Sequence, residues 1–238
     1  RVLDIVAPWV GVVKPQSAFF EVLGSSGFEV MRTVIRRARE MDLVTILDAK
    51  RGDIATTAAA YAEAAYEYFG ADAVTINPYL GRDSIEPFLR SARSRGRGVF
   101  ILVRTSNAGA GQFQDLPCEG RPLYQHVAAA VRSWTEENLS AAGYGDVGAV
   151  VGATRPAELQ ELRRMLPTCW FLVPGYGAQG GTADDVAGAF RDEGMGAVIN
   201  SSRGVVFPFP PEERCWEEKI EAATRRAAEE LRRVAMGG

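Results

Sequence analysis

Basic excess, paired cysteines, clustered histidines and long apolar runs are all missing from this sequence. Its 27 lysines and arginines are outnumbered by 30 acidic residues, for a formal net charge of −3, so it lacks the electrostatic footprint of a nucleic-acid binder. No apolar stretch reaches the roughly 20 residues that a membrane-spanning helix needs. The three cysteines, Cys118, Cys169 and Cys215, are odd in number and widely spaced, which excludes a disulfide framework or a zinc site and fits a reducing compartment; a cytoplasmic location is expected. The single histidine, His126, falls within a helical pattern and reads as structural, which leaves little material for a Ser/His/Asp triad or a histidine metal cluster. There is no internal repeat and no proline-rich linker, so residues 1–238 are expected to form a single domain. The chain starts at Arg1 without a methionine or a signal peptide, in what reads as an amphipathic helix, and a missing upstream segment is expected.

What is present is a rhythm. Apolar, β-branched runs recur at 10–14, 43–50, 72–77, 98–104, 147–151, 169–173 and 196–200. Between them lie helical patterns, such as Phe28, Met31, Val34, Ile35 and Ala38 at spacings of three and four, and the alanine-rich 58–69 segment. Strand and helix alternating in this way predict an α/β domain with a parallel sheet, either open and doubly wound or closed as a (β/α)8 TIM barrel. The placement of the polar residues favours the barrel, and seven candidate strands are one short of closure, so its first strand is read as missing from this chain.

The basic residues are 24 arginines and only three lysines, Lys14, Lys50 and Lys219. A guanidinium cannot give up its proton and an ammonium can, so a lysine in so arginine-rich a chain marks a place where proton transfer is wanted. Lys219 lies in a charged amphipathic stretch and reads as a solvated helix residue. Lys14 and Lys50 instead end β-rich runs, where the mouth of a barrel would be. In VTILDAKRGDI, strand alternation puts Asp48 and Lys50 on one face with Val44 and Ile46. Asp53 follows in the turn before the next helix. Lys14, from the neighbouring strand, would complete an alternating row of Lys14, Asp48, Lys50 and Asp53, in which each opposite neighbour favours the charged form. Such a row would also serve as a structural ion-pair network. Charges crowded inside a barrel end are costly unless used, which favours a catalytic role.

A second constellation lies late in the chain. Gly175, Gly177 and Gly180 fit G-x-G-x-x-G after a strand, but no acidic residue stands about 20 positions on, where a dinucleotide site would hold the ribose. A phosphate cradle fits better: glycine amides at a helix start, Thr182 and Asp185 as a capping box, and Arg203 after the final strand. Gln179, Gly180, Gly181 and Arg203 would converge on one phosphate monoester; a plain glycine-rich turn and a surface arginine are the alternative. Arg104, Thr105, Ser106 and Asn107 end a middle strand and are expected to read a ligand's edge. The long 108–122 segment after them is either a lid or a surface insertion.

These elements resemble the orotidine 5′-phosphate decarboxylase family, in its bacterial subgroup with KPQ-x-AFFE and DAKRGDI elements. The likeness rests on VVKPQSAFFE at 12–21, LDAKRGDIATTAAAYA at 47–62, DAVTINPYLG at 72–81, LVRTSN at 102–107, PGYGAQGG at 174–181 and NSSRG at 200–204. It implies a (β/α)8 barrel and a homodimer with shared active sites, which binds a small-molecule nucleotide and converts orotidine 5′-monophosphate to uridine 5′-monophosphate and carbon dioxide in pyrimidine biosynthesis, with no metal and no cofactor. It implies that Lys14, Asp48, Lys50 and Asp53 are the catalytic charged row, and that Asp53, Ile54 and Thr57 are donated to the neighbouring subunit's site. Ser106 matches a pyrimidine contact. Pro174 and Gln179 match a closing phosphate loop, and Ser202 and Arg203 the remaining phosphate contacts. The family's first strand ends in an aspartate that holds the ribose hydroxyls, and no strand before Val10 supplies it. A magnesium-dependent keto-hexulose phosphate decarboxylase or aldolase of the same barrel type shares D-x-K-x-x-D and a late phosphate site. A catalytically silent phosphate-binding barrel is the other alternative.

Overall fold

The computed structural model describes residues 1–177 and 180–237. Its seven long-range strands are β1 (Val12–Val13), β2 (Val44–Arg51), β3 (Ala73–Ile76), β4 (Gly98–Arg104), β5 (Val147–Val151), β6 (Phe171–Pro174) and β7 (Ala197–Asn200). Each falls on one of the seven runs expected from the sequence. All neighbours pair in parallel and in chain order, so every crossover leads to the adjacent strand.

A flat seven-stranded sheet would hold its edges almost 30 Å apart, at about 4.8 Å per strand. Here one apolar cluster draws on every strand: Ile46, Ala73, Phe100, Val150 and Leu172 are buried together, with Val12, Leu102, Trp170 and Val198 packed against them. A single cluster fed from both edges requires the sheet to roll up, and the result is a nearly closed barrel with a side-chain-filled interior. Among the described residues β1 and β7 do not pair with each other. Val44, expected beside Ile46 on the inner face, is half exposed because it is the first residue of its strand, on the amino-terminal rim.

The outer layer is helical: α1 (Val2–Val6), α2 (Ser17–Glu21), α3 (Gly24–Arg39), α4 (Ala55–Glu63), α5 (Arg82–Arg93), α6 (Gly111–Gln114), α7 (Leu123–Glu136), α8 (Pro156–Met165), α9 (Ala183–Val186), α10 (Arg203–Val206) and α11 (Trp216–Ala235). The apolar face read from the sequence of α3 packs inward, with Met31, Ile35 and Ala38 buried. The α4 segment runs on into a π-helical turn at Ala64–Tyr68. Residues 108–122 form a 3-10 turn, α6 and a two-residue hairpin pairing Pro117–Cys118 with Arg121–Pro122, so this segment is folded rather than a loose insertion. His126 is on α7, where its ring meets Arg121 and the carbonyl of Cys118. Lys219 is on α11, as the charge pattern predicts. Among the described residues no helix is long and apolar enough to cross a membrane.

Candidate active site

The carboxyl ends of β1 and β2 bring the predicted charges together. Asp48 continues the inner face below which Ile46 is packed, and only 5% of its surface is exposed. Lys14 Nζ lies 2.5 Å from Asp48 Oδ2, and Lys50 Nζ lies 2.6 Å from Asp48 Oδ1. Gln16 Nε2 donates to Oδ2 at 3.1 Å, and the Thr75 hydroxyl donates to Oδ1 at 2.9 Å. Four donors fill the lone-pair capacity of an ionised carboxylate. Burial pushes the Asp48 carboxyl up, but the charges and hydrogen bonds of Lys14 and Lys50 outweigh burial and hold it below its ordinary value of 3.8. The lysines differ in access to water: the Lys14 side chain is 10% exposed and that of Lys50 44%. Lys50 is therefore the ammonium that faces the opening.

Lys50 also has an unusual backbone. Its φ of +45° is left-handed, a conformation that costs a non-glycine residue about 1–2 kcal/mol. The strain falls within an irregular stretch: Leu47 pairs with Val74 and Arg51 with Ile76, so three residues of β2 face Thr75 alone. Two residues that the sequence reading missed, Gln16 and Thr75, thus complete the shell around Asp48. Gln16 lies inside the KPQ element two residues after Lys14, whereas Thr75 reads as one more β-branched strand residue and gives no signal of its own.

Asp53 does not join this row within the chain. Its carboxylate accepts from the backbone N–H of Ile54 at 2.8 Å, and no lysine or arginine pairs with it among the described residues. The row seen within this chain holds three of the four expected charges. Ile54 and Thr57 stand exposed at the start of that helix.

Arg104 is a second correction. Strand alternation would place it on the inner face with Phe100 and Leu102, but a register shift between Leu102 and Arg104 turns it outward. Its guanidinium is 1% exposed, bonded to Glu158 at 2.6 Å and Asp115 at 2.7 Å, and stacked over Tyr124. It ties the 108–116 segment to α7 and α8, with its guanidinium already occupied by these partners. Thr105 is likewise occupied, with Asn107 and Gln114. Ser106 is half-buried against Gly152, where an added Cβ would lie 2.8 Å from the serine Cβ, so the backbone there requires glycine.

The loops after β6 and β7 meet beside this end of the barrel. Pro174 is in register with Asn200, and its carbonyl accepts from the N–H of Ala153. Gly177, at φ +75°, takes a conformation that favours glycine and approaches Ser201. Thr182 and Asp185 form the expected capping box. The glycine cradle is not open: the N–H groups of Gly177, Gly180 and Gly181 donate to the carbonyls of Gly181, Gly177 and Gly175. These three amides are therefore satisfied within the loop in this conformation, whereas Ser202 and Arg203 are exposed at the start of α10. Gln179 lies outside the described residues. Asp4, the only acid before Val10, is on α1 paired with Arg37 and the amino terminus, well away from a ribose-holding role at a strand end.

Comparison with known proteins identifies the family. The family model described as "Orotidine 5'-phosphate decarboxylase / HUMPS family" matches residues 1–215. A Rhodopirellula baltica protein named orotidine 5′-phosphate decarboxylase is 47% identical over 246 residues, covering 98% of this chain and 82% of its own length. A Deinococcus radiodurans protein of the same name is 45% identical over 211 residues, covering 87% of this chain and 75% of its own. The solved structure of Leishmania donovani OMP decarboxylase superposes with a TM-score of 0.84 at 35% identity, covering all of this chain and 86% of that one. With the family model spanning most of its length and two relatives above 40% identity, the chain belongs to the orotidine 5′-phosphate decarboxylase / HUMPS family.

Proposed function

We propose that this chain is a carboxy-lyase that converts orotidine 5′-monophosphate to uridine 5′-monophosphate and carbon dioxide with no metal or organic cofactor. The observation that carries the reading is the buried Asp48 carboxylate clamped between two ammonium groups, one of them open to solvent. Loss of carbon dioxide leaves an electron pair in the plane of the pyrimidine ring, where no neighbouring carbonyl delocalises it. The carbon–carboxylate bond breaks, its electrons stay on the ring carbon, and a proton passes from Lys50 Nζ to that carbon. Lys50 then regains a proton from water, to which it has access. An arginine could not take this part, because it holds its proton too tightly.

Asp48 destabilises the substrate. A substrate carboxylate about 4 Å away repels it by roughly 4 kcal/mol at an effective dielectric near 20, and relief of that repulsion in the transition state is worth about a thousandfold in rate. Lys14 and Gln16 keep Asp48 ionised and in place while it does so. Ser106 contacts the pyrimidine, while Pro174, Gln179, Gly180, Gly181, Ser202 and Arg203 hold the phosphate.

The enzyme works as a homodimer in the cytoplasm. Asp53, Ile54 and Thr57 complete the partner's site, which accounts for an Asp53 that pairs with no lysine or arginine among the described residues of its own chain. Phe19, Val22, Leu23, Ile54, Tyr79 and Leu80, all following the ends of β1 to β3, are exposed and apolar, as a surface covered by a second copy would be. A spectrophotometric assay for loss of orotidine 5′-monophosphate tests the activity. Turnover that persists with a chelator separates it from the magnesium-dependent keto-hexulose phosphate reaction, and no turnover by the purified protein rejects it.

A further inference from the structure

Between the Leu47–Val74 and Arg51–Ile76 pairs, β2 carries Asp48, Ala49 and Lys50 against the single residue Thr75 of β3. A parallel ladder would give the amides in that stretch backbone carbonyls to bond. The bulge removes those partners, and buried N–H groups left without an acceptor are rare in folded proteins. Thr75 replaces them with its side chain: Oγ1 accepts from the N–H of Ala49 at 3.1 Å and from that of Lys50 at 2.9 Å. A hydroxyl has two lone pairs and one proton. With both lone pairs occupied, the proton has one direction left, and Asp48 Oδ1 lies along it at 2.9 Å. That oxygen is the one bonded to Lys50 Nζ. The residue is 1% exposed, so water is not a substitute partner.

We infer that Thr75 is a positioning residue of the decarboxylation: its hydroxyl closes the bulge in β2, holds the left-handed backbone of Lys50 and aims Asp48 Oδ1 at the Lys50 ammonium. The inference rests on the reading of Lys50 as proton donor and Asp48 as the stressing carboxylate. Thr75 touches no substrate; it acts through both residues at once, from the backbone of one and the carboxylate of the other.

The test is Thr75→Val, which keeps shape and β-branching and deletes the hydroxyl, beside Thr75→Ser, which keeps the hydroxyl and deletes the methyl. A displacement of the reacting groups by about 1 Å costs on the order of a hundredfold, so T75V is expected to lower kcat by about that factor with KM little changed, and T75S to retain wild-type kcat. The acid limb of the kcat profile of T75V is expected to move to higher pH, because Asp48 loses a donor to its ionised form. A merely structural role would leave that limb where it is. Wild-type kcat and an unmoved acid limb in folded T75V overturn the inference. If T75V does not fold, T75S and Thr75→Ala decide: loss confined to the alanine variant supports the hydroxyl, and equal turnover of the two rejects it. If wild type itself does not turn over orotidine 5′-monophosphate, the functional reading has failed. Hydrogen exchange at the Ala49 and Lys50 amides then tests the positional claim alone, which requires faster exchange in the alanine variant than in wild type and fails if the two are equal.

Discussion

Replacing Asp48 with asparagine separates an ion pair that the fold depends on from one it can spare. The amide has nearly the carboxylate's shape; with its oxygen kept toward Thr75 and Lys50, its NH2 replaces the oxygen that accepts from Lys14 and Gln16, so the charge and that acceptor go together. Lys50, its side chain 44% exposed, can turn into water and contributes little to the cost. Lys14, at 10%, cannot. Removing one partner of a buried ion pair costs about 3–5 kcal/mol because the other charge is left uncompensated. With only one of the two lysines truly buried, about 3 kcal/mol is expected, equivalent to a fall in Tm of roughly 6–12 °C for a domain of this size. Calorimetry of D48N against wild type at neutral pH measures it. The pH dependence follows from the lowered carboxyl: its contribution is fully present above the ordinary value of 3.8 and fades as pH falls through the still lower folded value. The gap between the two proteins should therefore be constant from neutral pH down to about 5 and close only below 3.8. In a Lys14→Met background the Asp48→Asn cost should largely vanish. Equal melting temperatures for wild type and D48N, or a cost unchanged by K14M, would refute the assignment of this energy to Lys14.

Lys50→Ala is expected to abolish measurable turnover while still binding the nucleotide product, as equilibrium titration would reveal; residual turnover near wild type excludes it as the donor. Mixing K50A with Asp53→Ala should restore about a quarter of wild-type activity, since half of randomly paired dimers carry one intact shared site; no recovery argues that Asp53 works in its own chain or not at all. Arg203→Ala removes a charge-assisted contact worth about 1.5–3 kcal/mol, so kcat/KM for the phosphorylated substrate should fall by about one to two orders of magnitude, and a dephosphorylated nucleoside should be indifferent to the change.

The barrel was legible because it is written in local periodicity. Seven β-branched runs and the helical faces between them need no knowledge of what packs on what, and Lys14, Asp48 and Lys50 were found by two local facts, the scarcity of lysine and the alternation of side chains along a strand. What the sequence hid lies where register departs from alternation. Arg104 has the parity of an inward residue and points outward, because the shift after Leu102 is a property of β4 against β5 and not of either strand alone. Thr75 escaped for the same reason: its hydroxyl matters only because the bulge opposite leaves two amides to satisfy. The glycine loop is a different case. Its composition announces free amides, yet a loop that folds on itself can spend them internally, and composition carries no record of which partner wins.

That self-satisfied loop bears on how the reaction barrier is lowered. On the proposed function, like-charge stress at Asp48 would supply about 4 kcal/mol, whereas rate enhancements at the upper end of enzymes require about 23 kcal/mol. The remainder must come from interactions that tighten as the reaction proceeds, and the phosphate is the one charged part of the substrate remote from the ring. To grip it through Gly180 and Gly181, the loop would first have to break the hydrogen bonds that these amides make with Gly177 and Gly175. Each exchange of a neutral acceptor for a charged phosphate oxygen gains, because charge-assisted hydrogen bonds are roughly twice as strong as neutral ones. On the proposed function, the hydrogen bonds among Gly175, Gly177, Gly180 and Gly181 are ones that a phosphate would outbid and a neutral nucleoside would not. Discrimination for the phosphorylated substrate would then draw on the cost of opening the loop as well as on contacts with Arg203.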